Sequence, residues 1–376
     1  MSDVSARDWS AIEDRGFSVG QIASTLTPKV QELIILPTEK CNLRCTYCYE
    51  DFKIGKMSAV TQRAVELLLD RRVEGLSELR LSWFGGEPLI ARDVILRLAR
   101  HAKQLCEAHG VKLLGGMTTN AVLLDAALLD DLLDCDHDFF QITLDGWGAT
   151  HDEVRRFADG RGSFDRIWAN LLQMRASPRP FDALLRIHVR RANLDGLPDL
   201  MTRLAAAFGN DPRFRLDFEH LRNLGGEGGA TVKDIVRPDE MRRIEADMRA
   251  LYRASAPDGG EAAGRDTEAV DAALRAAKAM GESGGGQRLN DLMQGSNYIC
   301  YASKPNSLLI RANGRVGKCT VALNDERNDI GSLNDDGTVA IDNDKLRPWL
   351  RGLADLDAAT LGCPLATLPR LARLQA

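Results

Sequence analysis

The sequence predicts an α/β chain built on a parallel sheet, and three observations carry that reading. Six short apolar, β-branched runs lie between residues 31 and 220. Amphipathic stretches of helical period separate them. The composition is that of a folded protein: 44% hydrophobic residues, with 33 Gly and 13 Pro in 376 residues, so the chain is neither disordered nor collagen-like. Six strands that alternate with helices imply right-handed crossovers and a barrel, or a barrel left partly open. Such folds place their chemistry at the C-terminal ends of the strands.

The strand candidates are 31–38 (QELIILPT), 78–84, 111–118, 139–145, 183–189 and 214–220. Between them, residues 61–72, 92–110 and 165–176 read as helices. In the second, Ile95, Leu96, Leu98, Ala99, Ala102 and Leu105 keep one apolar face. After residue 220 the character changes. A Gly-rich exit loop (LRNLGGEGGATVKD) precedes a helical pattern at 238–252, and the Gly- and Ala-rich residues beyond it read as a mobile connector. The expected organisation is an extension over 1–30, the barrel over 31–225, the connector over 226–290 and a smaller module over 291–376. In the last, LLIRANGRVGKCTVAL reads as a hairpin turning at Asn313-Gly314.

Charge and hydropathy narrow the function classes. The 49 Lys and Arg against 54 Asp and Glu leave a net charge of -5, which argues against nucleic-acid or anionic-membrane partners. No apolar run approaches the roughly 18 residues of a membrane span. The N-terminal residues carry no apolar signal segment, so the expected location is the cytoplasm.

Eight cysteines in such a compartment read as metal or redox ligands, not disulfides. Three of them, Cys41, Cys45 and Cys48, form C-x3-C-x2-C directly after the first strand. Three thiolates so close together can hold three irons of a [4Fe–4S] cube and leave the fourth open to an exogenous ligand. A partial zinc site, or three incidental cysteines, would give the same count. Zinc wants a fourth Cys or His at short spacing, and no such residue follows before His101. Cys106, on the apolar face of a helix, and Cys135, at a helix end, read as packing residues.

The segment Cys41-x3-Cys45-x-Tyr47-Cys48 resembles the signature of the radical S-adenosylmethionine (SAM) superfamily, and further motifs follow it in order. Gly85-Gly86-Glu87-Pro88 resembles GGEP, Thr119-Asn120 resembles TNG with Ala121 in place of Gly, Thr143-Leu144-Asp145-Gly146 resembles SLDG, and His151-Asp152-x-x-Arg155 resembles HDxxR. The resemblance spans roughly residues 31–220. It implies a partial (β/α)6 barrel whose open iron chelates SAM, and one-electron cleavage of SAM to a 5′-deoxyadenosyl radical. It also implies roles for individual residues: Tyr47 against adenine, Gly85, Gly86, Glu87 and Pro88 at the SAM ammonium, Asn120, Thr143 and Asp145 among the SAM contacts, and Arg155 on the SAM carboxylate. Helix capping is an equal reading of His151 and Asp152.

The C-terminal part is similar to the SPASM module of peptide- and protein-modifying radical SAM enzymes. Cys300, Gly314 and Cys319 fit C-x(9–15)-G-x4-C. The motif would continue from Cys363, but its next three cysteines fall on Ala366, Ala372 and Ala376. Replacement of cysteines or erosion of the motif would both produce this pattern. The family pattern assigns Cys300 and Cys319 to one auxiliary [4Fe–4S] cluster and Cys363 to another. Two thiolates and one are too few for full cubes, so one well-ligated cluster is expected. An ordinary buried pair on a hairpin is the alternative for Cys300 and Cys319.

The resemblance implies a maturase that abstracts hydrogen from a ribosomally made precursor peptide and forms a C–C or thioether cross-link. Sulfatase-type maturases of the group carry a basic Asp after the G-x4-C cysteine, where this chain has Thr320. That protein oxidation, peptide epimerisation and a small-molecule radical SAM reaction remain the alternatives. The implied partners are the peptide, a separate leader-recognition protein, and a reductant such as flavodoxin or ferredoxin. The roughly thirty residues before the first strand are too few for a leader-binding domain, so strand pairing at a sheet edge is one way to hold the peptide. Arg186, His188, Asp217, Glu219 and His220 are polar on the last two strands. They read as the substrate end of the barrel or as a cross-strand ion pair, and no base is named among them.

Overall fold

The structure is a computed structural model that describes residues 16–233, 235–257 and 298–368. Most of the expected connector, with Ala372 and Ala376, lies outside the described residues. Six parallel strands stand in chain order: β1 (Val30–Ile35), β2 (Glu78–Trp83), β3 (Lys112–Thr119), β4 (His137–Leu144), β5 (Asp182–Val189) and β6 (Phe214–His220). Each overlaps a run found in the sequence. Helices α1 (Val19–Leu26), α2 (Ala59–Arg72), α3 (Arg92–His109), α4 (Ala126–Leu133), α5 (Phe164–Ala176), α6 (Leu197–Phe208) and α7 (Pro238–Ser255) accompany them.

Local chemistry sets the helix ends. Ser58 accepts a hydrogen bond from the Thr61 N–H at the start of α2, and Asp125 accepts one from Leu128 N–H at the start of α4. Gly110 ends α3 in the left-handed region (φ 65°), and its N–H returns to the Cys106 carbonyl. The buried face of α3 carries Val94, Ile95, Leu98, Ala99, Ala102 and Cys106, the stripe expected from its period. Cys106 and Cys135 are both buried in the core, as packing residues would be. Among the described residues, no helix is long and apolar enough to cross a membrane.

The ring does not close. On its open side β1 pairs in parallel with β7 (Ser307–Ile310), which continues antiparallel through β8 (Arg315–Gly317), β9 (Gly331–Leu333) and β10 (Val339–Ile341). The hairpin turns where the sequence indicated, with Gly314 at φ 81° and its N–H on the Arg311 carbonyl at 2.9 Å. The C-terminal strands do not make a sheet of their own. They extend the barrel sheet to ten strands, because an open edge strand leaves unpaired amides that a parallel neighbour satisfies. A second small core joins the ends of the chain: Phe17 and Ile22 pack on Ile299 and Leu361.

Candidate active site

The C-terminal ends of the strands surround a cavity of about 1050 Å3, counting its open mouth. Cys41, Cys45 and Cys48 line it, on the loop that leaves β1. Gly85, Gly86, Asn120, Thr143 and Arg155 line it too, as do Arg186, His188, Glu219 and His220. Most of the residues singled out in the sequence therefore meet at one place.

The cysteine loop is prepared for thiolates. The Leu43 N–H donates to Cys41 Sγ at 3.4 Å, and the Glu50 N–H donates to Cys48. Burial nevertheless pushes the Cys41 thiol far up, with Glu87 and Cys45 adding to it, and raises Cys48 to about 12. A trio of buried thiols does not ionise unaided, whereas bound iron deprotonates its thiol ligands outright. Among the described residues, no three His, Cys, Asp or Glu side chains converge on one point as a single metal ion requires. A cubane asks for something different, three thiolates at separate corners, and the loop can supply it.

Gly85 and Gly86 bring β2 against this loop. A Cβ at Gly85 would lie 2.2 Å from the Thr38 carbonyl oxygen, and one at Gly86 would lie 2.7 Å from that of Lys40. The Glu87 N–H donates to the Lys40 carbonyl at 2.9 Å. Glu87 and Pro88 do not line the cavity. The Glu87 carboxylate is fully buried and accepts from Thr119 Oγ1 (2.7 Å), Asn120 N–H (2.7 Å) and Leu89 N–H (3.0 Å). It thus locks the end of β3 to β2. Asn120, held in this way, donates through Nδ2 to Asn42 Oδ1 at 2.8 Å beside Cys41.

Tyr47 is the hub of a buried polar network that sequence reasoning did not foresee. Its hydroxyl donates to Asp145 Oδ2 at 2.5 Å, accepts from Arg155 Nη1 at 2.8 Å, and lies 3.1 Å from His188 Nδ1. His188 Nδ1 is also 3.2 Å from Asp145 Oδ1. Burial raises the Asp145 carboxyl, but the pull of His188, Arg155 and His151 outweighs it and holds the group well below the usual carboxylate range. Asp145 itself does not line the cavity; it acts from behind Tyr47, His188 and Arg155. The only prior signal of this hub was the aromatic before the third cysteine.

The HDxxR segment divides its labour. His151, fully buried, accepts the Asp145 N–H through Nδ1 at 3.3 Å. Asp152 Oδ1 accepts the Ser163 and Phe164 N–H groups at 2.7 and 2.9 Å and so braces the start of α5, whose N-cap is Ser163. The local helical turn Ala149–Asp152 has Gly148 as its N-cap, so neither His151 nor Asp152 is an N-cap. Arg155 alone of the three reaches the cavity. On the last strands, Arg186 and Asp217 form a buried cross-strand pair at 2.8 Å, and Arg186 also lines the cavity. The cross-strand ion pair is thus present, and Arg186, His188, Glu219 and His220 also line the cavity.

The second group of thiols lies outside the C-terminal strands: Cys300 precedes the turn Tyr301–Ser303, Cys319 follows β8, and Cys363 follows the short helix Ala358–Gly362. Cys300, Cys319 and Cys363 are within electrostatic reach of one another, although the family pattern would part Cys363 from the other two. The Cys300 N–H donates to the Leu361 carbonyl at 2.8 Å, and the Thr320 N–H donates to the Tyr301 hydroxyl at 3.0 Å. Ala302 N–H donates to Cys300, and Val321 and Ala322 N–H donate to Cys319, the same device as in the first loop. Thr320 is buried and bonded to Tyr301, off the cavity.

Residues 35–189 match the radical SAM superfamily. They form a radical SAM domain. That superfamily uses a [4Fe–4S] cluster and SAM, and the loop Cys41–Cys48 is the part of this domain fitted to thiolate ligation. A pre-heme d1 synthase of Dinoroseobacter shibae is 30% identical over 44% of this chain and 38% of its own length. A PqqA peptide cyclase of Gluconobacter oxydans is 26% identical over 62% of this chain and 61% of its own. The chain thus spans less than two thirds of either relative. Among solved structures, anSMEcpe with bound AdoMet superposes with a TM-score of 0.59 at 15% identity, over 85% of this chain and 84% of that one. Streptococcus suis SuiB bound to precursor peptide SuiA gives 0.54 at 16%, over 94% and 74%. At these identities the shared property is the fold, and it takes in the C-terminal strands as well as the radical SAM domain.

Proposed function

We propose that the chain is a radical SAM maturase that abstracts hydrogen from a ribosomally made peptide and closes an intramolecular C–C or thioether link. The observation that carries the reading is the single cavity lined by the three-cysteine loop, by Arg155, Asn120 and Thr143, and by polar residues at the ends of β5 and β6. When bound, the cluster on Cys41, Cys45 and Cys48 and its SAM supply the 5′-deoxyadenosyl radical. The chain's own residues do the rest. Arg155, steadied by Tyr47, presents a guanidinium fork for a carboxylate. Asn120 ties the wall of the cavity to Cys41. His188, Glu219 and His220 line the same cavity and would offer polar contacts to a peptide side chain there.

The names of two similar proteins, a peptide cyclase and a precursor-bound SuiB, support a peptide substrate. Sulfatase-type oxidation is less well supported, since Thr320 carries no carboxylate and lies off the cavity. The family pattern divides Cys300 and Cys319 from Cys363, and two thiolates and one are too few for full cubes, so one securely ligated cluster is expected. The leader-recognition protein and the flavodoxin or ferredoxin reductant belong to the same proposal.

The test is the mass of a short peptide encoded beside this chain after anaerobic co-expression. Loss of two hydrogens, abolished by Cys41→Ala, is expected. An unchanged mass with a cluster-loaded chain would overturn cross-linking of that peptide. Deuterium uptake from solvent at an α carbon would favour epimerisation.

A further inference from the structure

The Gly-rich run after β6 read as an exit loop, yet it lies directly on the cysteine loop. Gly226–Gly229 form one helical turn. A Cβ at Gly228 would sit 2.4 Å from the Cys48 carbonyl oxygen and 2.5 Å from the Cys48 nitrogen. A Cβ at Gly226 would sit 2.5 Å from the Tyr49 carbonyl oxygen. These neighbours are backbone atoms, which cannot swing aside as the tip of a long side chain does. Thr231 Oγ1 lies 2.9 Å from the Thr46 carbonyl and 2.8 Å from the Gly228 carbonyl, and its one proton is donated between them, so the hydroxyl links the turn to the loop. The turn therefore touches three consecutive backbone units of the loop, Tyr47 to Tyr49, and the threonine pins a fourth. A second cavity, lined by Thr46, Tyr47, Arg190, Thr231 and Val236, shares Tyr47 with the one described above.

We infer that this glycine turn is the outer clamp of the cysteine loop, with Gly228 a positioning residue for Cys48 and so for the third corner of the cluster. The inference rests on the reading that Cys41, Cys45 and Cys48 hold that cluster. Its physical basis is close approach. Without side chains, two backbones meet and exclude water, and the loop between Cys45 and Cys48 loses the freedom to swing outward. Any side chain at 228 must lift the turn or push Cys48 inward. Partners behind a metal ligand govern its retention in the same way.

The neighbouring positions supply controls. Gly225 has φ 91°, but a methyl group there would meet nothing within 4 Å, so Gly225→Ala strains the backbone without touching the loop. Glu227 is exposed, and Glu227→Ala changes neither. Gly228 is not in the left-handed region, so Gly228→Ala introduces contact alone. In the anaerobically reconstituted full chain, Gly228→Ala is expected to lose iron to a ferrous chelator roughly tenfold faster, the low end of the usual effect of outer partners. Its reduced cluster should give an altered EPR signal, while Glu227→Ala and Gly225→Ala match the parent in both. In the metal-free chain, Cys48 of Gly228→Ala should be alkylated faster by iodoacetamide, with Cys106 unchanged. Thr231→Val, which removes one bond and adds no bulk, should move the same readouts by less.

Equal iron loss, EPR and Cys48 alkylation in Gly228→Ala and the parent would overturn the clamp. So would a Gly225→Ala variant that shifts them as much. A parent chain that binds no cluster would instead overturn the ligand reading, and the alkylation rates would still decide whether the turn clamps Cys48. If Gly228→Ala does not fold, Thr231→Val carries the same measurements.

Discussion

At the scale of single residues, Tyr47 does more than its neighbours in sequence announce. A tyrosine beside a cysteine reads as a ring that stacks on something, but here the hydroxyl joins Asp145, Arg155 and His188 into one buried network. Burial raises the Tyr47 phenol well above its ordinary range, so the O–H stays a donor to Asp145 throughout the physiological range. Tyr47→Phe keeps the ring and removes the hub. It should destabilise the chain by about 1–3 kcal/mol, the usual cost of leaving buried polar groups short of a partner, and urea unfolding measures it. A loss near zero would mean that Asp145, Arg155 and His188 re-pair without the phenol. The residue types at this site were readable, since glycines, carboxylates and an arginine recur at strand ends. Their division into cavity wall and buried support was not, because depth behind a wall depends on neighbours from other strands. Glu87 and Asp145 are the examples: the resemblance implied SAM contacts for both, and neither lines the cavity.

At the scale of elements, the join between the barrel and the C-terminal strands is electrostatic as well as hydrogen-bonded. Arg311, at the turn after β7, forms a buried fork on Glu39, next to the cysteine loop, at 2.9 and 2.6 Å. Glu50 lies near that pair. Burial and Glu39 push its carboxyl up to about 8, against the pull of Arg311. Arg311→Ala would leave Glu39 buried without its partner and should cost about 3–5 kcal/mol. Replacing both, Arg311→Met with Glu39→Gln, should cost clearly less than the single change, and denaturant titration of the three variants checks the difference. The strands themselves were legible, since a short apolar, β-branched run needs no tertiary context. That β7 would pair with β1 was not. It depends on which edge of an open barrel remains uncovered, a property of the closed chain.

At the scale of the whole molecule, buried histidines make the fold sensitive to acid. His137, stacked on Trp83 and with Nδ1 bonded to the Cys135 carbonyl, is lowered to about 4 by burial. His151 is lowered to about 3, first by burial and then by Arg155. Each is neutral in the folded chain. Once the pH falls below the ordinary value of about 6.5, the unfolded chain takes up protons that the folded chain refuses. Stability is therefore full above pH 6.5 and lost progressively as the pH falls towards 4. His137 alone accounts for about 3 kcal/mol over that window. Urea titrations of the metal-free chain at pH 7 and 4.5 measure the loss, and His137→Gln should flatten it. A slope unchanged by that substitution would assign the acid sensitivity to other groups.

The sequence by itself determined the six strands, the order of the motifs and the three-cysteine loop, because these are local. Strand period, turn glycines and ligand spacing are written within a few residues of one another. Only the tertiary structure decided that Cys363 comes within electrostatic reach of Cys300 and Cys319, that ten strands share one sheet, and that a glycine turn far downstream presses on Cys48. Those facts rest on packing between segments far apart in the chain, where a backbone can approach only if the residue opposite has no side chain.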